Sequence, residues 1–285
     1  MSRARLAGTG AALLAALAIC PPPAHALRIV TWNLFVYPDY NLAARQPYFR
    51  TVMADIAADV LIVQELNSDA GRDSFLTNVL NVVEPGQWTS SAFYTLQSSP
   101  SVEGGAIFYK PAKVGISFTA QFATSGPRDV LLTRVTPVGY TNINATFRVY
   151  SMHLKAGGPA TVDSTTRRLE CTDIRNTLNL APANTNFLIG GDTNFYGAYE
   201  GGYIRLTESQ ADNDGRGVDP LNMPGDWHVI PGYAPYYSQC PCNTSCGSFS
   251  GGSSANLVHT LEVHFTLSPT GEITNVSNFT FACRG

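Results

Sequence analysis

Four polar residues stand at the ends of four short apolar runs, and this repeated pattern restricts the folds open to the chain. The runs are rich in β-branched and aromatic residues, as buried strands are. They read RIVTWN, VLIVQE, RVYSMH and FLIGGD, and they end at Asn33, Glu65, His153 and Asp192. A segment long enough for a helix separates the two runs of each pair. The sequence therefore predicts an α/β fold in which strand ends bring these four side chains to one edge.

The segments between the paired runs have the periodicity of amphipathic helices. The first contains an apolar stripe at helical spacing, made of Phe49, Val52, Met53 and Ile56. The second predicts a helix over 165–180 with one apolar face, made of Cys171, Ile174 and Leu178. Three further strands, predicted at 106–109, 114–122 and 130–135, join the two halves as a meander. This mixture predicts two packed sheets covered by helices.

The composition changes in the last third of the chain. Beyond residue 207, Gly, Pro, Asn and Asp dominate, so we expect a long loop there. A final β-hairpin is expected, with strands at 257–267 and 272–281. One main domain is predicted over 27–255, followed by an atypical C-terminal hairpin segment over 256–285 that could belong to the same domain.

The first 26 residues have the three parts of a secretory signal peptide. Arg3 and Arg5 supply the charged start, residues 11–19 the apolar stretch, and Ala24-His25-Ala26 the cleavage motif. We expect cleavage near Ala26 and secretion to an extracellular or periplasmic space. The apolar stretch is too short to span a bilayer, and no later segment reaches the roughly 20 apolar residues that a spanning helix needs. No transmembrane segment is therefore expected.

Charge excludes one functional class. The formal net charge is −3, and removal of the leader with its two arginines makes the chain more acidic still. A basic protein that binds nucleic acid through its surface charge is therefore excluded. Nuclease chemistry stays open, because an enzyme that meets phosphate through a divalent cation does not need a basic surface.

Cysteine usage agrees with export. The five cysteines that follow the leader are Cys171, Cys240, Cys242, Cys246 and Cys283. Disulfides are the favoured interpretation in an oxidising compartment, with one thiol left over and the pairing open. Zinc binding by the cluster CPCNTSC is the alternative, although no fourth close ligand is evident.

The side chains at the strand ends suit metal-assisted phosphate-ester chemistry. Glu65 is a hard oxygen ligand for Mg²⁺, and Asn33 could hold a metal-bound water or a phosphate oxygen. Asp192 could activate water, His153 could donate a proton, and Asn194 could donate to a nonbridging oxygen. Taken singly, each has a plain structural explanation as a solvated strand end or a turn residue. The ordered set within a repeated unit points to function.

These motifs resemble those of the endonuclease/exonuclease/phosphatase superfamily over roughly residues 27–195. The matching stretches are TWNL, QE, SMHL and GDTN, and GAIFY resembles the central strand of that family. The resemblance implies a four-layer α/β/β/α sandwich of two mixed sheets flanked by helices. It also implies in-line attack of water on a phosphate ester with Mg²⁺, or else Mn²⁺ or Ca²⁺.

The resemblance also implies roles for five residues. Glu65 and Asn33 are assigned to the metal. Asn33 and Asn194 are assigned to substrate binding. His153, Asp192 and Asn194 are assigned to catalysis.

One part of the family pattern is absent. Members normally finish with an adjacent Asp-His pair, whereas this chain has no Asp after Asp226. The remaining candidates there are His228, His259 and His264. A structural role is the simpler interpretation of His259 and His264. Asp226-Trp227-His228 has the right residue types at the wrong spacing, in a loop-like segment. Loss of one general acid or base costs about 10² to 10⁴ in rate, so we expect weakened activity.

The leading prediction is a secreted, metal-dependent phosphodiesterase or nuclease. Its partner would be a phosphate-ester substrate, with DNA and RNA as candidates, and no stable protein partner is implied. Two alternatives stay open: a catalytically inactive exported binding protein on the same fold, and a phosphomonoesterase or sphingomyelinase-like member. The acidic loop at 212–219 is either solvated or binds Ca²⁺. Three tyrosines either line a substrate groove or cover the loop: Tyr233, Tyr236 and Tyr237.

Overall fold

Two mixed β-sheets packed face to face form the centre of the molecule, with helices on both outer faces. The computed structural model describes side chains in residues 27–39, 42–96, 103–183, 185–219 and 222–227, with a gap of one to six residues between successive ranges. It also describes the backbone of two strands, 262–267 and 273–280. The predicted fold class, a four-layer α/β/β/α sandwich, is confirmed.

The first sheet is built from the N-terminal third of the chain and the C-terminal hairpin. Its strands are β1 (Ile29–Tyr37), β2 (Val60–Leu66), β3 (Thr89–Ser90), β4 (Tyr94–Thr95), β5 (Gly104–Tyr109), β10 (Glu262–Leu267) and β11 (Ile273–Thr280). Their order is β11-β10-β1-β2-β5-β3, with β4 also paired to β5. Helix α1 (Leu42–Ile56) connects β1 to β2, which run parallel.

The second sheet has the order β6-β7-β8-β9. Its strands are β6 (Val114–Phe122), β7 (Val130–Pro137), β8 (Phe147–His153) and β9 (Phe187–Asp192). Helix α4 (Val162–Asn179) connects the parallel strands β8 and β9, as the sequence predicted for its second strand–helix–strand unit. The predicted meander crosses between the sheets, because β5 belongs to the first and β6 and β7 belong to the second.

Three apolar clusters hold the four layers together. The cluster between the sheets includes Ile29, Ile62, Ile107, Val135, Phe147 and Val149. On the outer face of the first sheet, the α1 stripe packs as predicted, with Phe49, Met53 and Ile56 buried and Val52 half-buried. On the outer face of the second sheet, α4 buries Cys171, Ile174 and Leu178. Each buried aliphatic or aromatic side chain contributes about 1.5–3 kcal/mol to this packing.

The remaining helices are short. Helix α2 (Asp69–Phe75) begins at Ser68, whose hydroxyl accepts a hydrogen bond from the Gly71 N–H, and it continues through a π-helical turn (Leu76–Leu80) into α3 (Asn81–Val83). A 3₁₀ turn spans Ile143–Ala145. Helix α5 (Gly201–Thr207) was not predicted, because its two glycines are weak helix formers. Gly202 is needed for packing, since a Cβ there would lie 2.7 Å from the Phe195 ring.

The C-terminal hairpin adds to the edge of the first sheet. Strands β10 and β11 pair antiparallel, and β10 pairs with β1 through Val263 and Ile29. Within the described residues, no helix is both long and apolar enough to cross a membrane. Several predictions fall outside the described residues, namely those on the leader 1–26, on Tyr233, Tyr236 and Tyr237, on His228, His259 and the side chain of His264, and on Cys240, Cys242, Cys246 and Cys283. Cys171 is a buried free thiol.

Candidate active site

Polar side chains of β1, β2, β8 and β9 meet where the two sheets face each other, although β1 does not end at Asn33 as the sequence predicted but continues to Tyr37. The Asn33 Nδ2 atom donates hydrogen bonds to Glu65 Oε1 at 2.8 Å and to Asp192 Oδ2 at 2.9 Å. The register of β8 and β9 places His153 directly beside Asp192. The structure thus brings together the four strand-end residues that the sequence singled out.

A glycine allows the close approach of the two strands in the second sheet. Gly191 precedes Asp192 and has a φ of 136°, in the region that favours glycine. A Cβ at this position would lie 1.9 Å from the Met152 carbonyl oxygen. Steric crowding therefore explains why position 191 is a glycine. A side chain there would push Asp192 away from His153.

The backbone of β1 is irregular directly after Asn33 and points N–H donors at the site. Phe35 and Val36 adopt left-handed backbone angles, with φ of 47° and 45°, which are unfavourable for bulky and β-branched residues. In this conformation the Phe35 N–H donates to Asn33 Oδ1 at 2.8 Å, and the Val36 N–H donates to Glu65 Oε2 at 3.1 Å. Arg45 of α1 binds the Phe35 carbonyl oxygen and fixes the turn.

The bond from Phe35 also determines the orientation of the Asn33 amide. The amide oxygen accepts the Phe35 N–H, so the NH₂ group faces the carboxylates of Glu65 and Asp192. In this orientation Asn33 positions the two acids. Its predicted roles as a metal ligand and in substrate binding stay predictions.

Burial, with a smaller contribution from neighbouring negative charges, shifts the pKa values of the two acids upward. The pKa of Asp192 is raised to about 6, with burial as the largest cause; the Asn33 hydrogen bond opposes this rise and the charge of Glu65 adds to it. Burial likewise raises the pKa of Glu65. The pKa of His153 is lowered well below its usual range by burial and by the nearby Arg128.

Two residues beside His153 were not predicted from the sequence. Glu103 Oε2 lies 3.7 Å from His153 Nδ1, and it also accepts a hydrogen bond from Arg128. Arg128 in turn donates to the Leu154 carbonyl oxygen at 3.4 Å. The available signal for Glu103 was a charged residue directly before the buried strand GGAIFY. It was missed because the prediction considered polar residues that follow strands, and Glu103 precedes one.

A shallow pocket opens on the Glu103 side of His153. It is lined by Gln64, Leu96, Glu103, Gly104, Arg128, Ser151, Met152 and His153. Gln64, only 2% exposed, lies beneath and donates to both Thr31 Oγ1 and Ser151 Oγ at 2.9 Å. Because Thr31 and Ser151 belong to different sheets, this amide fixes the separation of the strands that carry the site.

Asn194 follows β9 and ties two site loops together. Its Nδ2 atom donates to the Leu154 carbonyl oxygen at 3.0 Å, and its backbone N–H donates to Asp192 Oδ1 at 3.2 Å. An amide NH₂ group carries two N–H donors, and the bond to Leu154 uses one of them. The second is a donor of the kind that a phosphate oxygen accepts. The predicted catalytic and substrate-binding roles of Asn194 stay predictions.

A buried ion pair fixes the loops that follow β8 and β9. Arg167 of α4 makes two bonds to Glu200, Nε to Oε2 at 2.8 Å and Nη2 to Oε1 at 3.0 Å. Its Nη1 also donates to the Lys155 carbonyl oxygen at 2.8 Å, and Glu200 Oε1 accepts the Tyr196 N–H. The pair therefore connects the loop after His153 to the loop after Asp192.

The donor set fits a divalent cation. Glu65, His153 and Asp192 each offer one ligand atom, and the three atoms lie within 4.8 Å of one another. Carboxylate oxygens and imidazole nitrogen are the common protein ligands of divalent cations.

The raised pKa of Asp192 predicts a pH-dependent stability in the metal-free protein. The folded-state pKa of about 6 exceeds the ordinary value of 3.8, so folding favours the protonated acid. This contribution to stability is present below the ordinary value and is lost as pH rises through about 6. In EDTA, urea unfolding of the wild type relative to Asp192→Asn should show the wild type losing stability over this range. A difference that does not change with pH would contradict this assignment.

The fold and the acidic strand ends define the class of protein: an α/β sandwich with a phosphoesterase fold. The sequence matches the model of the Endonuclease/Exonuclease/phosphatase family over residues 30–253, and the chain belongs to this family. The resemblance found in the sequence is thereby confirmed. No curated protein matches the sequence.

Solved structures of the same fold include proteins from several organisms. The catalytic domain of human Nocturnin is 14% identical, with 88% of this chain and 91% of that chain covered at a TM-score of 0.55. An endonuclease/exonuclease/phosphatase family protein from Bacteroides thetaiotaomicron is 14% identical, with coverages of 64% and 68% and a TM-score of 0.50. D. rerio TDP2 complexed with a single-strand DNA product is 20% identical, with coverages of 61% and 62% and a TM-score of 0.47. At these identities the likeness shows the fold alone.

Proposed function

We propose that the protein is an exported, divalent-metal-dependent hydrolase of phosphodiesters, with nucleic acids among its substrates. The observation that carries this proposal is the contact of Asn33 with both Glu65 and Asp192 beside His153. Membership of the Endonuclease/Exonuclease/phosphatase family supports hydrolysis of phosphate esters. The leader-like first 26 residues support export.

The side chains of the site suit water attack on phosphorus. Asp192 is the general base, since a pKa of about 6 lets it ionise near neutral pH and still accept a proton effectively. Asn33 holds the Asp192 carboxylate in place. Glu65 is the residue that would hold the cation. When bound, a divalent cation supplies Lewis-acid polarisation of the phosphate.

Hydrogen-bond donors complete the proposed site on the substrate side. Arg128 and the Asn194 amide lie on either side of the Leu154 carbonyl oxygen, to which both donate. Donors that are already oriented stabilise the charge that develops on phosphate oxygens without rearranging. We assign to these residues, together with His153, the contact with nonbridging or leaving-group oxygens.

A substrate panel tests the proposed function. Purified protein without the leader would be assayed with bis(p-nitrophenyl) phosphate, p-nitrophenyl phosphate, single-stranded DNA and sphingomyelin, each with EDTA, Mg²⁺ or Mn²⁺. We expect diester and DNA hydrolysis that EDTA abolishes. Turnover of the monoester or sphingomyelin alone would move the protein to another class within the family.

A second candidate function has its own motivating observation. The sequence has no Asp after Asp226, so the final carboxylate of the family pattern is absent. A catalytically inactive binding protein on this fold would show no turnover with any substrate of the panel in any metal. That result would overturn the proposed hydrolase.

A further inference from the structure

A fully buried carboxyl group lies between α4 and two loops that border the site. It belongs to Glu170, which is 0% exposed. Its Oε2 atom accepts a hydrogen bond from the Lys155 N–H at 2.9 Å. Its Oε1 atom is also buried, and it has no hydrogen-bond partner among the described residues. Buried polar atoms are nearly always hydrogen-bonded, so this unpaired oxygen needs a physical explanation.

The unpaired oxygen faces the loop between β6 and β7, residues 123–129. A Cβ atom at Gly126 would overlap Glu170 Oε1, so the loop can lie against the carboxyl group only with a glycine at this position. The same loop bonds to α4 one turn further on, where the Ser125 N–H donates to Asp173 Oδ2 at 2.6 Å. The 123–129 loop therefore packs on α4 at two neighbouring points.

Both loops that meet this carboxyl group carry groups of the proposed substrate side. Arg128 lies on the 123–129 loop, and its carbonyl oxygen accepts the Thr124 hydroxyl at 2.7 Å, which links it to the part of the loop packed on α4. The Arg128 guanidinium donates to the Leu154 carbonyl oxygen at 3.4 Å. Lys155, whose N–H the carboxyl group accepts, directly follows Leu154. A change at the carboxyl group would therefore reach the substrate side through both loops.

The surroundings of Glu170 disfavour its ionised form. Arg128, Lys155 and Arg167 are the charged groups that act on it, and all three favour ionisation, but burial is the larger effect and raises the pKa of Glu170 to about 7. Each of these cations is already paired with another carboxylate. Burial also raises the pKa of the adjacent Cys171 thiol, which stays neutral. An ionised Glu170 would thus bury a charged oxygen without a donor, which costs more than burying a neutral hydroxyl.

We propose that Glu170 is a positioning residue that, as a neutral carboxylic acid, holds the 123–129 loop against α4 and thereby sets the position of Arg128. Ionisation leaves a charged oxygen against Gly126, and the loop moves away to let water reach it. The folded-state pKa of about 7 exceeds the ordinary value of 4.5, so this packing is favoured at low pH and is lost as pH rises through about 7. The proposal rests on the proposed function and deepens it by naming a residue that regulates the substrate contact.

Hydrogen exchange of the 123–129 loop tests the proposal without any measurement of turnover. After correction for the intrinsic pH dependence of exchange, we expect protection of this loop in the wild type to fall about 10-fold between pH 6 and pH 8. Glu170→Gln keeps the shape of the neutral acid and an acceptor for the Lys155 N–H, so protection should be equal at both pH values. Asp173→Asn changes the other contact of the same loop and is the matched control, which should keep the pH dependence. Wild-type protection that is independent of pH, or an equal fall in Glu170→Gln, would overturn the proposal.

Gly126→Ala is a second variant that leaves the carboxyl group in place. The added methyl group should displace the loop at every pH, because it would overlap Glu170 Oε1. We expect its loop at pH 6 to be as poorly protected as that of the wild type at pH 8. Full protection at pH 6 would show that the loop does not depend on this contact.

Diester turnover connects the loop to the site. Above pH 7, kcat/KM of the wild type for bis(p-nitrophenyl) phosphate should fall about 10-fold per pH unit, and this fall should be absent in Glu170→Gln. A fall that persists in Glu170→Gln would overturn the positioning role and leave the proposed function standing. Absence of turnover in every protein would instead remove the proposed function, and the exchange of the loop would then decide whether Glu170 holds it.

Discussion

Asp192→Asn is expected to lower kcat/KM for bis(p-nitrophenyl) phosphate by about 10² to 10⁴, the usual loss when one general base is removed. Asparagine keeps the shape of the side chain and can still accept one hydrogen bond, so the strand end should stay in place. It cannot take a proton from the attacking water. The measurement is the steady-state rate with saturating divalent cation at a pH above the Asp192 pKa of about 6.

The matched control for this prediction is Asp214→Asn. Asp214 is an exposed acid on the loop after α5, away from the site. Its substitution removes the same charge as Asp192→Asn does. We expect its rate to equal that of the wild type. A rate for Asp192→Asn within a few-fold of the wild type, in a variant with an unchanged circular dichroism spectrum, would show that Asp192 is not the base.

Arg167→Ala is expected to have the largest effect on stability, a loss of about 3–5 kcal/mol in the free energy of unfolding. Both partners of the pair are buried, with Arg167 0% and Glu200 2% exposed. Removal of the guanidinium leaves the Glu200 carboxylate without a counter-charge and leaves the Lys155 carbonyl oxygen without its donor. Urea unfolding monitored by fluorescence measures the difference.

Arg168→Ala is the control for this prediction, because Arg168 is the exposed neighbour on the same helix. Substitution of an exposed residue of this kind changes stability by only about 0.5 kcal/mol or less. Glu200→Gln should also destabilise, and the double variant should lose less than the two single losses added together, since the partners interact. Additive losses would show that the ion pair is not the source of the stability.

Local pattern was enough to predict two packed sheets covered by helices, and the family resemblance implied their four-layer arrangement. The two helical stripes and the apolar runs predict which face of each helix and strand is buried. In the structure, Phe49 and Met53 of α1 and Ile174 and Leu178 of α4 are buried as predicted. Helix α5 was missed because Gly202 opposes helix formation locally and is there for its contact with Phe195. Helix α5 therefore depends on packing against other segments, which its local sequence does not reveal.

The strand-end residues were predictable for the same reason, but their detailed roles were not. Parallel pairing sets Asn33 beside Gln64, and the irregularity that follows, with Glu65 at a φ of 53°, brings the Glu65 carboxylate to Asn33. The orientation of the Asn33 amide depends on the Phe35 N–H, which points at the site only because of a left-handed backbone turn. Glu103 reaches His153 across the interface between the sheets, a contact that no sequence spacing reveals.

The most direct test of the central claim is metal-restored phosphodiester turnover in protein stripped with EDTA, compared between the wild type and Glu65→Gln. Glu65 accepts hydrogen bonds from Asn33 and Val36, and glutamine preserves its shape while removing the charge that would hold the cation. We expect turnover to return when a divalent cation is added to the wild type, and to stay close to background in Glu65→Gln at the same concentration. Turnover that is independent of metal, or equal in the two proteins, would contradict the assignment of these strand ends as a metal-dependent phosphoesterase site.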